Sequence, residues 1–145
     1  MEKEIAKYNY CFVCGAENPI GLKLRFFTDG EITRTTYRPA PEHEGYKGIA
    51  HGGIIATILD EVMIKAVISL DISCVTAQME IRYKIPVPIE TEIQFEAVIT
   101  KQKKRIVKTR GWAKDTSGTL YAEATGTYVV VSGDMQAKLK KSLEI

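Results

Sequence analysis

The chain has 145 residues, 45% hydrophobic and 26% charged, which excludes a disordered or fibrous protein and fits one globular domain. At this length folding hides roughly 70% of the extended chain's surface, so packing suffices without a disulfide or metal staple. Twenty Lys and Arg against eighteen Asp and Glu leave a net charge of +2, too balanced for a protein that coats nucleic acid or an anionic membrane.

Three cysteines cannot all pair internally, and residues 1–20 lack the basic start and apolar core of a signal peptide, so the expectation is a reduced, cytoplasmic protein. The prolines at 19, 39, 41, 86 and 88 are scattered and separate no domains. The expected organisation is one domain over 1–145, opened by an N-terminal segment (1–21) and closed by a short tail (133–145).

Leu22 to Phe27 and Ile32 to Arg38 read as strands joined through Asp29-Gly30, a hairpin turn signal. From Gly53 to Leu70 apolar residues recur at helical spacing round most of the circumference, as in a helix enclosed on nearly all sides. Asp60, Glu61 and Lys65 interrupt the run, so it fails as a membrane span. Thr57, Glu61 and Lys65 form one narrow polar stripe, best read as solvated, and Asp60 sits about 100° around the axis from Glu61. Burying an unpaired carboxylate is costly, so Asp60 needs a partner or a task.

Cys74 to Ser132 reads as antiparallel sheet. Val75, Ala77, Met79, Ile81 and Tyr83 alternate with polar residues, as do Ile93, Phe95, Ala97 and Ile99, giving strands with one buried face. Turns at Lys103-Lys104 and at Asp115 to Gly118 predict a meander, and Met135, Leu139 and Leu143 predict a short amphipathic tail helix. The packing that follows is an α+β fold, a curved antiparallel sheet wrapped around one helix.

Residues 43–61 carry the chemistry. Gly52-Gly53 stands at the start of the helix, where unpaired N–H groups can meet a developing oxyanion. Asp60, further along, can be a general base or a nucleophile. Eight residues of helix separate Gly52 from Asp60 by about 12 Å, too far to flank one carbonyl carbon. Joint action therefore requires a second subunit to bring its Asp60 to this Gly52, across a two-fold interface. His51, beside the glycines, is expected to fix the loop through ring hydrogen bonds and to assist in polarising a carbonyl. His43 and Glu44 read as an exposed loop pair.

His51-Gly52-Gly53, an apolar run and an acid nine residues after the His resemble the hot-dog fold acyl-CoA thioesterases of the phenylacetate-pathway (PaaI-like) type. Cys11-Phe-Val-Cys-Gly15 and Asn18-Pro-Ile-Gly-Leu22 are similar to the opening of a PaaI-like subgroup, so the resemblance covers nearly the whole chain. It implies thioester hydrolysis, with Asp60 activating water or attacking the carbonyl and Gly52 as main-chain donor. It also implies a hydroxyl residue after the helix, Thr76, that orients the water. Gly45 stands where several relatives have Asn or Gln, six residues before the His, so one side-chain contact to the substrate is missing.

Cys11-x-x-Cys14 has only half of a four-ligand zinc site, and neither Cys74 nor the two histidines supplies a matching pair spacing, so no metal is expected and the cysteines read as packed residues. Lys101 to Arg110 holds six basic residues and no acid, making Lys103, Lys104 and Arg105 candidates for the phosphates of coenzyme A. The expected function is an acyl-CoA thioesterase, a homodimer or tetramer without dissociable cofactor, nucleic acid or membrane partner. A non-catalytic binding module for acyl-CoA or a lipid metabolite is the main alternative. A hot-dog hydratase or dehydratase is weaker, because that chemistry is expected to use a catalytic His with a carboxylate on the helix side, whereas His51 precedes the helix in a His-Gly-Gly turn.

Overall fold

The structure, a computed structural model, describes residues 1–143. Seven antiparallel strands form one sheet: β1 (Lys3–Glu4), β2 (Phe27–Thr28), β3 (Thr33–Tyr37), β4 (Cys74–Tyr83), β5 (Ile93–Lys103), β6 (Ile106–Asp115) and β7 (Leu120–Val130). Helix α1 (Gly52–Ile68) packs across β3 to β7, and α2 (Gly133–Lys140) follows the sheet. This is the expected α+β wrap around one long helix. No helix among the described residues is long and apolar enough to cross a membrane.

The core forms where α1 meets the concave face of the sheet. Ile55, Ile58, Leu59, Val62, Met63 and Val67 are buried against Phe95, Val107, Ala122 and Tyr128, each large aliphatic contributing roughly 1.5–3 kcal/mol by leaving water. Gly111 lets the helix come close: a Cβ there would lie 2.9 Å from Met63 Cγ.

Strand order is β1-β2-β3-β5-β6-β7-β4. The meander holds for β5, β6 and β7, but β4 crosses to the far side and pairs with β7, becoming a ten-residue edge. The hairpin through Asp29-Gly30 is present, with Asp29 Oδ1 accepting from Glu31 and Ile32 N–H. Its first strand is shorter than expected, because the backbone of Leu22 and Leu24 donates instead to the Phe12 and Val13 carbonyls of the N-terminal segment.

The alternation expected along β4 breaks at Ala77. A bulge between Thr76 and Gln78 inserts one extra residue, which flips the side-chain parity. Met79 and Ile81 face the core as expected, but before the bulge the inward residues are Cys74 and Thr76, leaving Val75 and Ala77 exposed.

The Glu61 and Lys65 part of the polar stripe of α1 is not solvated either. The N-terminal segment covers it: Lys65 is completely buried, its Nζ donating to the Ala6 carbonyl and lying 5.0 Å from the Tyr8 ring centroid. Glu61 lies beneath the Cys11 thiol.

Candidate active site

Two groups of unequal character face the outside along α1. At its start, His51 is the N-cap with extended backbone (φ −60°, ψ 132°), and its Nδ1 accepts the Gly53 N–H at 2.8 Å. That bond fixes the neutral tautomer, leaving Nε2–H as a donor, and takes up one of the two glycine donors. Gly53 is therefore not an oxyanion donor, whereas the Gly52 N–H has no acceptor among the described residues. The Tyr83 hydroxyl donates to the Gly52 carbonyl at 2.7 Å, clamping the first turn to the end of β4. A cavity of about 610 Å³ opens here, lined by Ile49, His51, Gly52, Ile55, Tyr83 and Val87.

Two turns along, Asp60 Oδ1 accepts hydrogen bonds from Thr76 Oγ1 at 3.0 Å and the Tyr128 hydroxyl at 2.9 Å. Tyr128 also donates to the Asp60 carbonyl. Oδ2 has no partner among the described residues. Burial, reinforced by the charge of Asp60, raises the Tyr128 hydroxyl above its ordinary range, so it stays a donor. The same two causes push the Cys74 thiol up to about 12. The result is a carboxylate held through one oxygen, with the other unpartnered among the described residues.

The adjacent acid is in a different setting. Burial lifts Glu61 to about 7. Hydrogen bonds from the Cys14 thiol and from the Cys14 and Val13 N–H groups lower Cys11 to about 5, and Cys14 is raised in turn.

Residues 47–122 match the family model of the Thioesterase superfamily. The chain belongs to that superfamily. It is 27% identical to acyl-coenzyme A thioesterase THEM4 of Bos taurus over 89% of its length, and spans about half of that relative, 54%. Among solved structures it is similar to protein RHA08564, a thioesterase superfamily protein, with 25% identity, a TM-score of 0.78 and coverage of 83% of this chain and 60% of that one. A hypothetical thioesterase protein of Streptococcus pneumoniae TIGR4, solved with coenzyme A, is 23% identical with a TM-score of 0.68, covering 71% of this chain and 80% of that one. The likeness agrees with the hot-dog architecture.

In this thioesterase-superfamily chain, Asp60 and Thr76 come together, as do His51, Gly52 and Gly53, but the two groups stay apart and Asp60 does not line the cavity at Gly52. Lys103, Lys104 and Arg105 lie at the β5–β6 turn, at the Cys74 end of the sheet and away from Tyr83 and Gly52. Arg105 spends its guanidinium on the Val130 carbonyl. Gly45 does stand against His51, 3.3 Å from its Cα to a Cβ at Gly45. His43 is less exposed than expected, its Nδ1 2.6 Å from the Tyr37 hydroxyl.

Tyr128 and Tyr83 were not recognised from sequence. The available signal was two tyrosines on strands flanking the helix, each with a hydroxyl that must find a partner when its ring is covered.

Proposed function

We propose that the protein is an acyl-CoA thioesterase whose sites are each shared between two chains of a homodimer, or of a tetramer built from such dimers. The observation that carries this reading is the split site: a carboxylate anchored by Thr76 and Tyr128 and, two turns away at the helix start, the Gly52 N–H, with Oδ2 and that N–H both unpartnered among the described residues. Superfamily membership and the activity named for the THEM4 relative support it.

The edge strand supplies the geometry for pairing. β4 exposes a ladder on its outer side, a template for another strand. With the bulged Ala77 left out of the count, antiparallel pairing of two copies centred on Glu80 sets Met79 against Ile81 and Thr76 against Tyr83. Because Thr76 holds Asp60 and Tyr83 holds Gly52, that register carries the second copy's Asp60 to this Gly52. The same two-fold turns the second copy's Lys103 and Lys104 toward the cavity mouth, where the phosphates of coenzyme A need cations. Lys103 and Lys104 are better placed for this than Arg105.

In the shared site, the acyl group occupies the apolar cavity and its carbonyl oxygen points at the Gly52 N–H. Asp60 Oδ2 takes a proton from a water, and the hydroxide oxygen bonds to the thioester carbon. The oxyanion rests on the Gly52 N–H and the His51 Nε2–H. As the carbonyl re-forms, the C–S bond breaks and the protonated Asp60 returns its proton to the departing thiolate, giving acid and CoA. The reaction consumes only water and needs no cofactor. Three unpaired thiols support a reducing, cytoplasmic setting.

Free-thiol release over a panel of aliphatic and aromatic acyl-CoA esters tests the reading, with Asp60→Asn as control. Release by the natural chain, lost in a folded Asp60→Asn variant, is expected. Tight binding of the esters without release from any of them would leave a binding module and overturn the enzyme.

A further inference from the structure

We propose that Cys11, Cys14 and Glu61 form a site for one thiophilic divalent cation, with zinc as the type, between the N-terminal segment and helix α1. One Sγ from each cysteine and a carboxylate oxygen of Glu61 all lie within 4.8 Å of one another. Cys11 Sγ is 3.5 Å from Glu61 Oε2. Tetrahedral zinc with bonds of about 2.3 Å to sulfur and 2.1 Å to oxygen sets S and O roughly 3.6 Å apart. Pairing by Cys and His spacing misses this site because its third ligand is a carboxylate fifty residues from Cys11.

The turn is shaped for such a role. Val13 and Cys14 N–H groups donate to Cys11 Sγ at 3.3 and 3.5 Å, and Tyr8 N–H donates to Cys14 Sγ at 3.5 Å. Donors of this kind stabilise metal-bound thiolates from behind. Gly15 closes the turn by donating to the Cys11 carbonyl, and any side chain is barred there, since a Cβ would lie 2.5 Å from Cys11 N.

Charge provides an independent argument. Two thiolates and a carboxylate around a doubly charged cation leave one negative charge, which would be costly to bury alone. Lys65, completely buried, places its ammonium 3.8 Å from Glu61 Oε2. The occupied site is thereby neutral. Three protein ligands leave a fourth position, and a cavity of about 410 Å³ lined by Tyr8, Tyr10, Cys11, Glu61, Ile64 and Cys74 lies beside the cluster, with room for a water or small ligand. Binding displaces the thiol protons to solvent and changes no oxidation state. The cation would tie the N-terminal segment to α1 one residue from Asp60.

The full chain, reduced and freed of metal by a chelator, is titrated with Zn²⁺ against a competing chromophoric chelator and separately with Co²⁺. One equivalent per chain is expected. The Co²⁺ form should show a thiolate-to-cobalt band in the near ultraviolet and tetrahedral visible bands, and Zn²⁺ should raise the melting temperature. Cys11→Ser, Cys14→Ser and Glu61→Gln should each weaken binding by about 100-fold or more, since even supporting contacts are worth about 10–100-fold. The wild-type cobalt spectrum does not depend on the variants folding. No stoichiometric binding overturns the proposal. So do a cobalt spectrum without thiolate bands, and binding that survives all three substitutions.

Discussion

Asp60 and Glu61 are neighbours in sequence and chemically alike, yet α1 turns them into different environments. Asp60 faces β4 and β7, where two neutral hydroxyls hold one of its oxygens. Glu61 faces the N-terminal segment, packed against a thiol and 3.8 Å from a buried ammonium. Neutral donors on one oxygen fix the direction of a carboxylate and leave its other oxygen open to a ligand. Burial among ionisable groups makes a carboxylate a member of a charge cluster instead.

The largest expected effect breaks the comparison at Asp60. Asp60→Asn keeps the shape and the acceptor oxygen but removes the group proposed as base, so kcat for thioester hydrolysis should fall by about 10²–10⁴-fold, measured by thiol release. The same acid-to-amide change at Glu61 is expected to register on cobalt affinity and thermal stability. Comparable kcat losses from both substitutions would deny that the two acids have separate tasks.

Gly52→Pro is expected to come next. Proline suits the first position of a helix, and His51 already has the extended backbone that a following proline demands. A side chain there meets the Tyr83 ring at an ordinary 3.6 Å. The substitution therefore deletes the N–H with little strain, and kcat should drop by about 10²–10³-fold while circular dichroism is retained.

A smaller effect sharpens the account of how Asp60 is held. Tyr128→Phe removes one of the two hydrogen bonds that hold Asp60 Oδ1, so Oδ2 is aimed less well and kcat should fall by about 2- to 10-fold. The loss is read in kcat by thiol release, with KM little changed. A merely structural Tyr128 would lower the melting temperature without lowering kcat.

Local periodicity made much of the fold legible. The spacing of apolar residues in α1, the Asp29-Gly30 hairpin and the alternation of β5 each express one element's own burial. What escaped depends on partners distant in the chain. The place of β4 beside β7 is a long-range pairing, and the bulge at Ala77 leaves the sequence looking regularly alternating while it reverses the face of Thr76. The stripe of Glu61 and Lys65 reads as solvated because nothing in the helix reveals that residues 6–14 lie over it. Asp60, His51 and Gly52 were legible as candidates through their order and spacing. Tyr128 and Tyr83 were not, since their tasks are defined by hydroxyls reaching across 68 and 31 residues.

Mixing two inactive variants tests the proposed shared site most directly. Asp60→Asn chains retain Gly52, and Gly52→Pro chains retain Asp60, so a mixed pair rebuilds one intact site from opposite chains. After unfolding and co-refolding of equal amounts, random reassortment should restore about one quarter of the wild-type sites, read as thiol release. Activity no greater than the sum of the two variants, in a mixture shown by mass to contain paired chains of both kinds, would contradict a site divided between subunits.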